Sequence, residues 1–177
     1  MNKNLVKFNQ INNVFFLVIT SLSLLLLSGC GFKLRGQLDN AYLEIQNWKI
    51  IGAISPQLEK NIKKQFSIRK GIIDSANAQA VLDVSENYQE LVNTINSKGQ
   101  VNEIRLKYTV TFLVRNAQKD KVILLPNTIS QFRDVAITDS STLAKEQEKQ
   151  KLLKDMQYNI STRILEIIQK IPVSSLI

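Results

Sequence analysis

Residues 103 to 115, EIRLKYTVTFLVR, alternate so regularly that they leave this chain few architectures. Ile104, Leu106, Tyr108, Val110, Phe112 and Val114 fall on one side of an extended strand. Glu103, Arg105, Lys107, Thr109, Thr111 and Arg115 make up almost all of the other. A strand with one apolar and one wet face belongs to a sheet covered on one side only, so the rest of the chain has to supply the cover.

The flanking sequence supplies more strands. Residues 80–96 begin with Ala80, Leu82 and Val84 alternating against Val81, Asp83 and Ser85, and run to a turn at Ser97-Lys98-Gly99-Gln100. Residues 122–136 form a further strand in which Pro126 predicts an edge position or a bulge. Residues 41–50, AYLEIQNWKI, alternate as a first strand, with Leu43 and Ile45 opposite Tyr42, Glu44 and Gln46.

Two amphipathic helices provide the cover. Ser55-Pro56 is a start signal, an N-cap followed by proline in the first turn; Leu58, Ile62 and Phe66 then form a stripe beside Lys60, Lys63 and Lys64, and Gly71 is the expected stop. The second helix is expected from about residue 142 to 170. Leu153, Met156, Ile160, Ile164, Ile167 and Ile171 step by three and four, Leu152 and Ile168 widen the stripe, and Pro172 closes it. The order β-α-β-β-β-α predicts an α+β two-layer sandwich, with two helices on one face of a roughly four-stranded sheet.

The N-terminus has a different character. Residues 1–13 carry Lys3 and Lys7 and no acid, and residues 14–27, VFFLVITSLSLLLL, are too short an apolar block for a comfortable membrane span. Leu27-Ser28-Gly29-Cys30 follows and resembles the bacterial lipobox, in which a peptidase cuts before a diacylated cysteine. On this reading residues 1–29 are a cleaved signal peptide, Cys30 is the lipid attachment point, residues 30–40 are a lipidated tether, and residues 41–177 are one domain. Two or three acyl chains, at about 0.8 kcal/mol per buried methylene, anchor a protein stably where one chain would not. The alternative is an uncleaved signal anchor with Cys30 as a buried thiol. Gly31 and Phe32, rather than an aspartate, follow the cysteine and imply release to the outer membrane.

Composition narrows the chemistry. The 177 residues contain no histidine and one cysteine, which removes Ser-His and Cys-His nucleophiles, the commonest metal ligand and any disulfide framework. No catalytic residue, metal site or cofactor is expected. The formal charge of +8 calls for an acidic partner. Nucleic acid does not meet an exported chain, and the basic residues lack the aromatic interleaving of a single-strand groove.

With these pieces in place, the sequence resembles the LptE family of lipopolysaccharide-assembly lipoproteins. The resemblance lies in GCGFKLRG at residues 29–36, the GQ turn after Lys98 with the long strand behind it, and the terminal run from LAKEQEKQKLL to ILEIIQKIP. It implies a non-catalytic, periplasm-facing subunit that sits inside the LptD β-barrel, likewise assists its assembly, and helps deliver lipopolysaccharide to the outer leaflet. It further implies lipopolysaccharide contacts at the tip of the central hairpin and at the start of the last helix. The LAK motif places Lys145 at the second. At the first, Ser-Lys-Gly-Gln puts Lys98 one position away from the basic residue of relatives that read Arg-Asn-Gly-Gln. Arg105 and Lys107, on the wet strand face, are further candidates, with Arg105 equally suited to facing the barrel wall. Lys149, Lys151 and Lys154 are expected on a solvated helix face.

Two other functions fit the residues. One is a lipoprotein adaptor for a different envelope assembly machine. The other is a carboxylate hydrolase built on Asp83, Glu86 or Asp134, which needs two carboxylates held apart across a cleft.

Overall fold

A computed structural model describes residues 42–73, 76–137 and 142–177. The signal segment, Cys30 and the tether lie outside the described residues. The domain is built from β1 (Asn47–Ile51), α1 (Pro56–Ile68), β2 (Ile72–Ile73), β3 (Ala80–Ile95), β4 (Val101–Asn116), β5 (Val122–Ala136) and α2 (Thr142–Ile168), closed by a 3-10 turn at Val173–Leu176. The α+β two-layer arrangement is as the patterning predicts, but the sheet has five strands, in the order β2-β1-β3-β4-β5. The extra strand, β2, is two residues long and too short to show periodicity. β1 runs parallel to both β2 and β3; the β3–β4 and β4–β5 pairs are antiparallel.

The first strand is shorter than its alternation predicts. Leu43 and Ile45 are buried, yet pairing starts only at Asn47, opposite Ile72. Before that point the chain is tied by Leu43 N–H to the Arg69 carbonyl at 3.3 Å and by the Trp48 indole N–H to the Ile45 carbonyl at 2.6 Å. Side chains can alternate in burial over a stretch whose backbone has no strand beside it.

α1 begins as expected. Ser55 is extended, its hydroxyl accepts from Leu58 N–H, and Pro56 opens the first turn. Its end differs in detail. Lys70, not Gly71, takes the left-handed conformation, with φ of 58°, while the N–H groups of Arg69 and Gly71 both donate to the Phe66 carbonyl at 2.9 Å. Gly71 is required for space: a Cβ there would lie 2.7 Å from a Phe66 ring carbon and 2.8 Å from a Leu43 methyl.

One core lies between the helices and the sheet. Leu58, Ile62 and Phe66 of α1, Met156, Ile160, Ile164 and Leu165 of α2, and Leu106, Val110 and Val114 of β4 are fully buried. Trp48 meets Phe66 edge-on, with ring centroids 5.3 Å apart. Where both helices end, the buried Arg69 guanidinium donates to the Gln65 carboxamide oxygen at 2.9 Å and to that of Gln169 at 3.3 Å. A cation there faces the negative ends of two helix dipoles.

A polar knot ties the layers together. Glu86 of β3 accepts from the Ser55 N–H, from the Ser55 hydroxyl at 3.2 Å and from the Tyr108 phenol, while Gln157 of α2 donates to the Ser55 hydroxyl at 3.1 Å. The N-cap of one helix, the middle of the other and two strands thus share one network. Burial, and then the Glu86 hydrogen bond, push the Tyr108 phenol well above its ordinary pKa.

Candidate functional site

β3 and β4 project beyond the layer formed by α1, and their connecting turn is the first candidate position. Asn96 organises it: its side-chain oxygen accepts from the N–H groups of Lys98 and Gln100, both at 2.9 Å, and its backbone N–H donates to the Gln100 carbonyl at 2.8 Å. Gly99 takes φ of +78°, which completes the reversal. Asn116 caps the β4–β5 turn in the same way, accepting from Gln118 and Lys119 N–H. Lys98 is therefore displayed by a rigid turn, exposed, with no ion pair to its ammonium among the described residues.

Lys145 lies near the start of α2, half-buried, likewise without an ion pair among the described residues. The first turn of α2 contains no acid, so nothing in it offsets the positive helix end beside this lysine.

Arg105 and Lys107 share the sheet face that the helices leave open. Arg105 is committed to Asp134 of β5 in a two-pronged contact, Nε to Oδ1 at 2.7 Å and Nη2 to Oδ2 at 2.9 Å. This contact holds the Asp134 carboxyl below its usual range and raises the guanidinium pKa. Lys107 stands between Gln89 of β3 and Phe132 of β5, again with no ion pair among the described residues. Elsewhere on this face Thr109 meets Ser130 and Thr111 meets Thr128, each at 3.0 Å, Arg115 pairs with Asp83 at 2.8 Å, Glu103 accepts from the Asn93 side chain at 2.5 Å, and Lys49 of β1 is exposed.

The four candidate residues do not converge on one point. Arg105 and Lys107 are two positions apart, about 6.6 Å along the strand, on the open face. Lys145 belongs to the helix side of the sheet, where its neighbour Glu146 acts on Tyr88. Lys98 sits between the two faces at the tip. A bulky, multiply charged ligand could span the tip and one face; a small anion could not engage all four.

One lysine departs from its expected setting. Lys149 is not simply solvated: it bridges Glu90 of β3 at 3.1 and 3.2 Å and Glu146 at 2.9 Å, with its side chain 20% exposed. The Glu146 contact, and then Glu90, raise its pKa. Tyr88 also donates to Glu90, at 2.9 Å, so this cluster fastens the first half of α2 to the hairpin. Sequence reasoning also passed over Asn96 and the exposed Phe132. The Asn-to-Gly spacing within Asn96-Ser97-Lys98-Gly99 was the available signal for the first.

The carboxylates considered for hydrolysis are all engaged: Asp83 with Arg115, Glu86 in the polar knot and Asp134 with Arg105. On the outer face of α2, a shallow depression of about 350 Å³ is lined by Glu146, Lys151, Lys154 and Asp155 with two glutamines. Its charges cancel, so it does not favour an anion.

The molecule is a two-layer α+β domain with one core, two helices on one face of a five-stranded sheet and a long hairpin with a lysine at its tip. The family described as LptE: Lipopolysaccharide-assembly matches residues 39–166, most of the chain, and the chain belongs to that family. Three solved structures share the fold. Rare lipoprotein B from Shewanella oneidensis is 22% identical with a TM-score of 0.59, covering 68% of this chain and 92% of its own. Lipoprotein B from Nitrosomonas europaea, a solution structure, is 23% identical with a TM-score of 0.63, covering 76% and 88%. A minor lipoprotein from Acinetobacter baumannii is 20% identical with a TM-score of 0.60, covering 73% and 96%. Comparison with curated proteins gives no match.

Proposed function

We propose that this chain is a non-catalytic, outer-membrane lipoprotein subunit of a lipopolysaccharide translocon. It is anchored through acyl chains on Cys30 and faces the periplasm inside the LptD barrel, whose assembly it assists. Family membership supports the general role. The observation that carries the ligand reading is Lys98: an exposed ammonium without a carboxylate partner, held out on a turn that Asn96 makes rigid. Lipid A phosphates are matched by such a group. Lys145 supplies a second cation on the helix side and Lys107 a third on the open face. Arg105 ranks below them, because two of its donors are already on Asp134.

The deciding experiment is a mild-detergent pull-down of the mature protein from its native membrane, with stoichiometric partners identified by mass spectrometry. A large β-barrel at a one-to-one ratio is the expected result; a different envelope complex as the sole stable partner would sink the reading in favour of an adaptor. Lys98→Ala and Lys145→Ala should each weaken lipopolysaccharide binding by about tenfold, the scale of one charge-assisted hydrogen bond. Lys154→Ala, on the outer face of α2, should leave binding unchanged. Replacing Cys30 with alanine should abolish incorporation of labelled fatty acid.

A further inference from the structure

The two ends of the domain carry different groups. β1 and β3 start side by side, Trp48 opposite Ala80, and Ala80 faces Asn116 at the end of β4, so the start of the described chain lies at the opposite end of the sheet from the hairpin tip. The 16 residues of β3 put about 50 Å between those ends. α1 finishes at the starting end, where Leu43 N–H donates to the Arg69 carbonyl at 3.3 Å and Ile72 N–H to the Gln46 carbonyl at 2.8 Å.

Positive charge is concentrated along α1 towards that end. Residues 55–73 hold five basic residues and one acid, half of the formal charge of +8. Arg69 is buried between the helix ends, and Lys63 pairs with Glu59 at 3.0 Å. Lys60, Lys64 and Lys70 are exposed, with no ion pair among the described residues. Lys60 and Lys64 stand four apart on the outer face of α1, a spacing at which like charges repel. The helix dipole does not account for them, because it acts on the last turn, which Arg69 already serves, and Lys60 stands in the second. Lys70 holds the left-handed position, with φ of 58°, that glycine or asparagine would take with less strain. Its ammonium lies 4.1 Å from the centre of the Tyr42 ring. Tyr42, Ile68 and Ile72 are 49% to 55% exposed at this end, so the cations stand among apolar side chains.

We propose that this end of the domain docks on the anionic phospholipid headgroups of the leaflet that holds the acyl chains of Cys30. The inference rests on the reading of Cys30 as the lipid anchor. Eleven residues, 31–41, separate that cysteine from Tyr42, and they reach at most about 40 Å. The patch therefore stays close to the bilayer, at a high effective concentration of headgroups. Lys60, Lys64 and Lys70 meet the phosphates, while Tyr42 and Ile68 enter the boundary between headgroups and acyl chains. A basic patch beside a lipid anchor is the second of two membrane signals: the anchor keeps the chain on the bilayer and the patch sets how the domain stands on it. The hairpin tip with Lys98 is then held away from that leaflet.

The mature protein, purified from its native membrane without partners, tests this in vesicles of phosphatidylcholine with and without phosphatidylglycerol. A dye is attached at Ser67→Cys, on the outer face of α1, or at Ser97→Cys, in the hairpin turn, and a headgroup spin label quenches it on contact. The dye at position 67 should be quenched in the anionic vesicles and released by about 1 M salt, where the Debye length is about 3 Å. The dye at position 97 should stay bright. Lys60→Gln, Lys64→Gln and Lys70→Gln, checked for native circular dichroism, should each lower the ratio of docked to undocked chains about fivefold, and together on the order of 100-fold. Quenching at position 67 that is the same in both vesicles, equal to that at position 97, or indifferent to the three substitutions overturns the proposal. The anchor is read separately, by retention on phosphatidylcholine vesicles through a high-salt wash. A chain retained there but never docked overturns the patch alone; a chain washed off overturns the anchor, and quenching at position 67 on anionic vesicles at low salt still decides the patch.

Discussion

The same strand behaves in two ways along its length. In its first half β3 buries Ala80, Leu82 and Val84 completely, opposite Phe112 and Val114 of β4, beneath α1 and the second half of α2. In its second half Tyr88, Leu91, Val92 and Ile95 are 37% to 60% exposed, although the pairing with β4 continues to the turn. The backbone ladder is common to both halves; the cover is not. The first half is held by hydrophobic burial and the polar knot, the second by hydrogen bonds to one neighbour and by the Lys149–Glu90 fastening. Apolar side chains in the second half are therefore available to something outside the monomer.

That contrast is broken most severely in the covered half. Phe66→Ala removes the ring against Trp48 and Gly71 and should cost about 3 to 5 kcal/mol in denaturant unfolding. A comparable truncation in the open half, Val92→Ala, should stay within about 0.5 kcal/mol. If the two losses are similar, the two halves are not differently supported.

Tyr108→Phe should come next, at about 1 to 3 kcal/mol, because it takes one donor from the half-buried Glu86 carboxylate. It also carries a pH signature. A folded pKa raised above the ordinary 10.0 contributes stability that is complete below pH 10 and is lost as pH rises towards the folded value. Alkaline unfolding curves of the Phe variant should show a correspondingly shallower fall. Ser55→Ala should cost about 1 kcal/mol as a lost N-cap, read from the same unfolding curves, and any excess over that measures its role in the knot.

The smallest effect belongs to the open face. Asp134 is held below its ordinary 3.8 by Arg105, so its contribution is present above that pH and disappears as pH falls through the lowered folded value. The pair is exposed and screened by salt. Asp134→Asn should therefore produce a slight change in acid unfolding at low ionic strength that vanishes at high salt. An effect that survives high salt would mean that the open face is less solvated than its neighbours indicate.

The strands and helices were largely legible, and for a physical reason. The alternation of β4 and the three-and-four spacing of α2 are direct consequences of which side faces the core, so Leu106 to Val114 and Met156 to Ile168 could be read off in advance. The boundaries that failed have equally definite causes. β1 starts at Asn47 because its partners start there, which no pattern within residues 41–50 records. Gly71 was identified as a helix stop, but its space is set by Leu43, far away in sequence. Of the candidate site, Lys98 was legible as a turn residue, whereas the commitment of Arg105 to Asp134 and of Lys149 to Glu90 depends on register between distant strands and a helix.

The sequence by itself determined the α+β order, the identity of the buried faces and the placing of Lys98 in a turn and Lys145 at the start of the last helix. Each of these follows from local periodicity, turn chemistry and charge. Tertiary structure alone decided which charges are cancelled, that Arg105 and Lys107 lie on the opposite side of the sheet from Lys145, and that among the described residues β3 pairs with β4 alone beyond Glu86. Those outcomes depend on which segments end up side by side, and a pairing partner leaves no mark in the residues of the strand it joins.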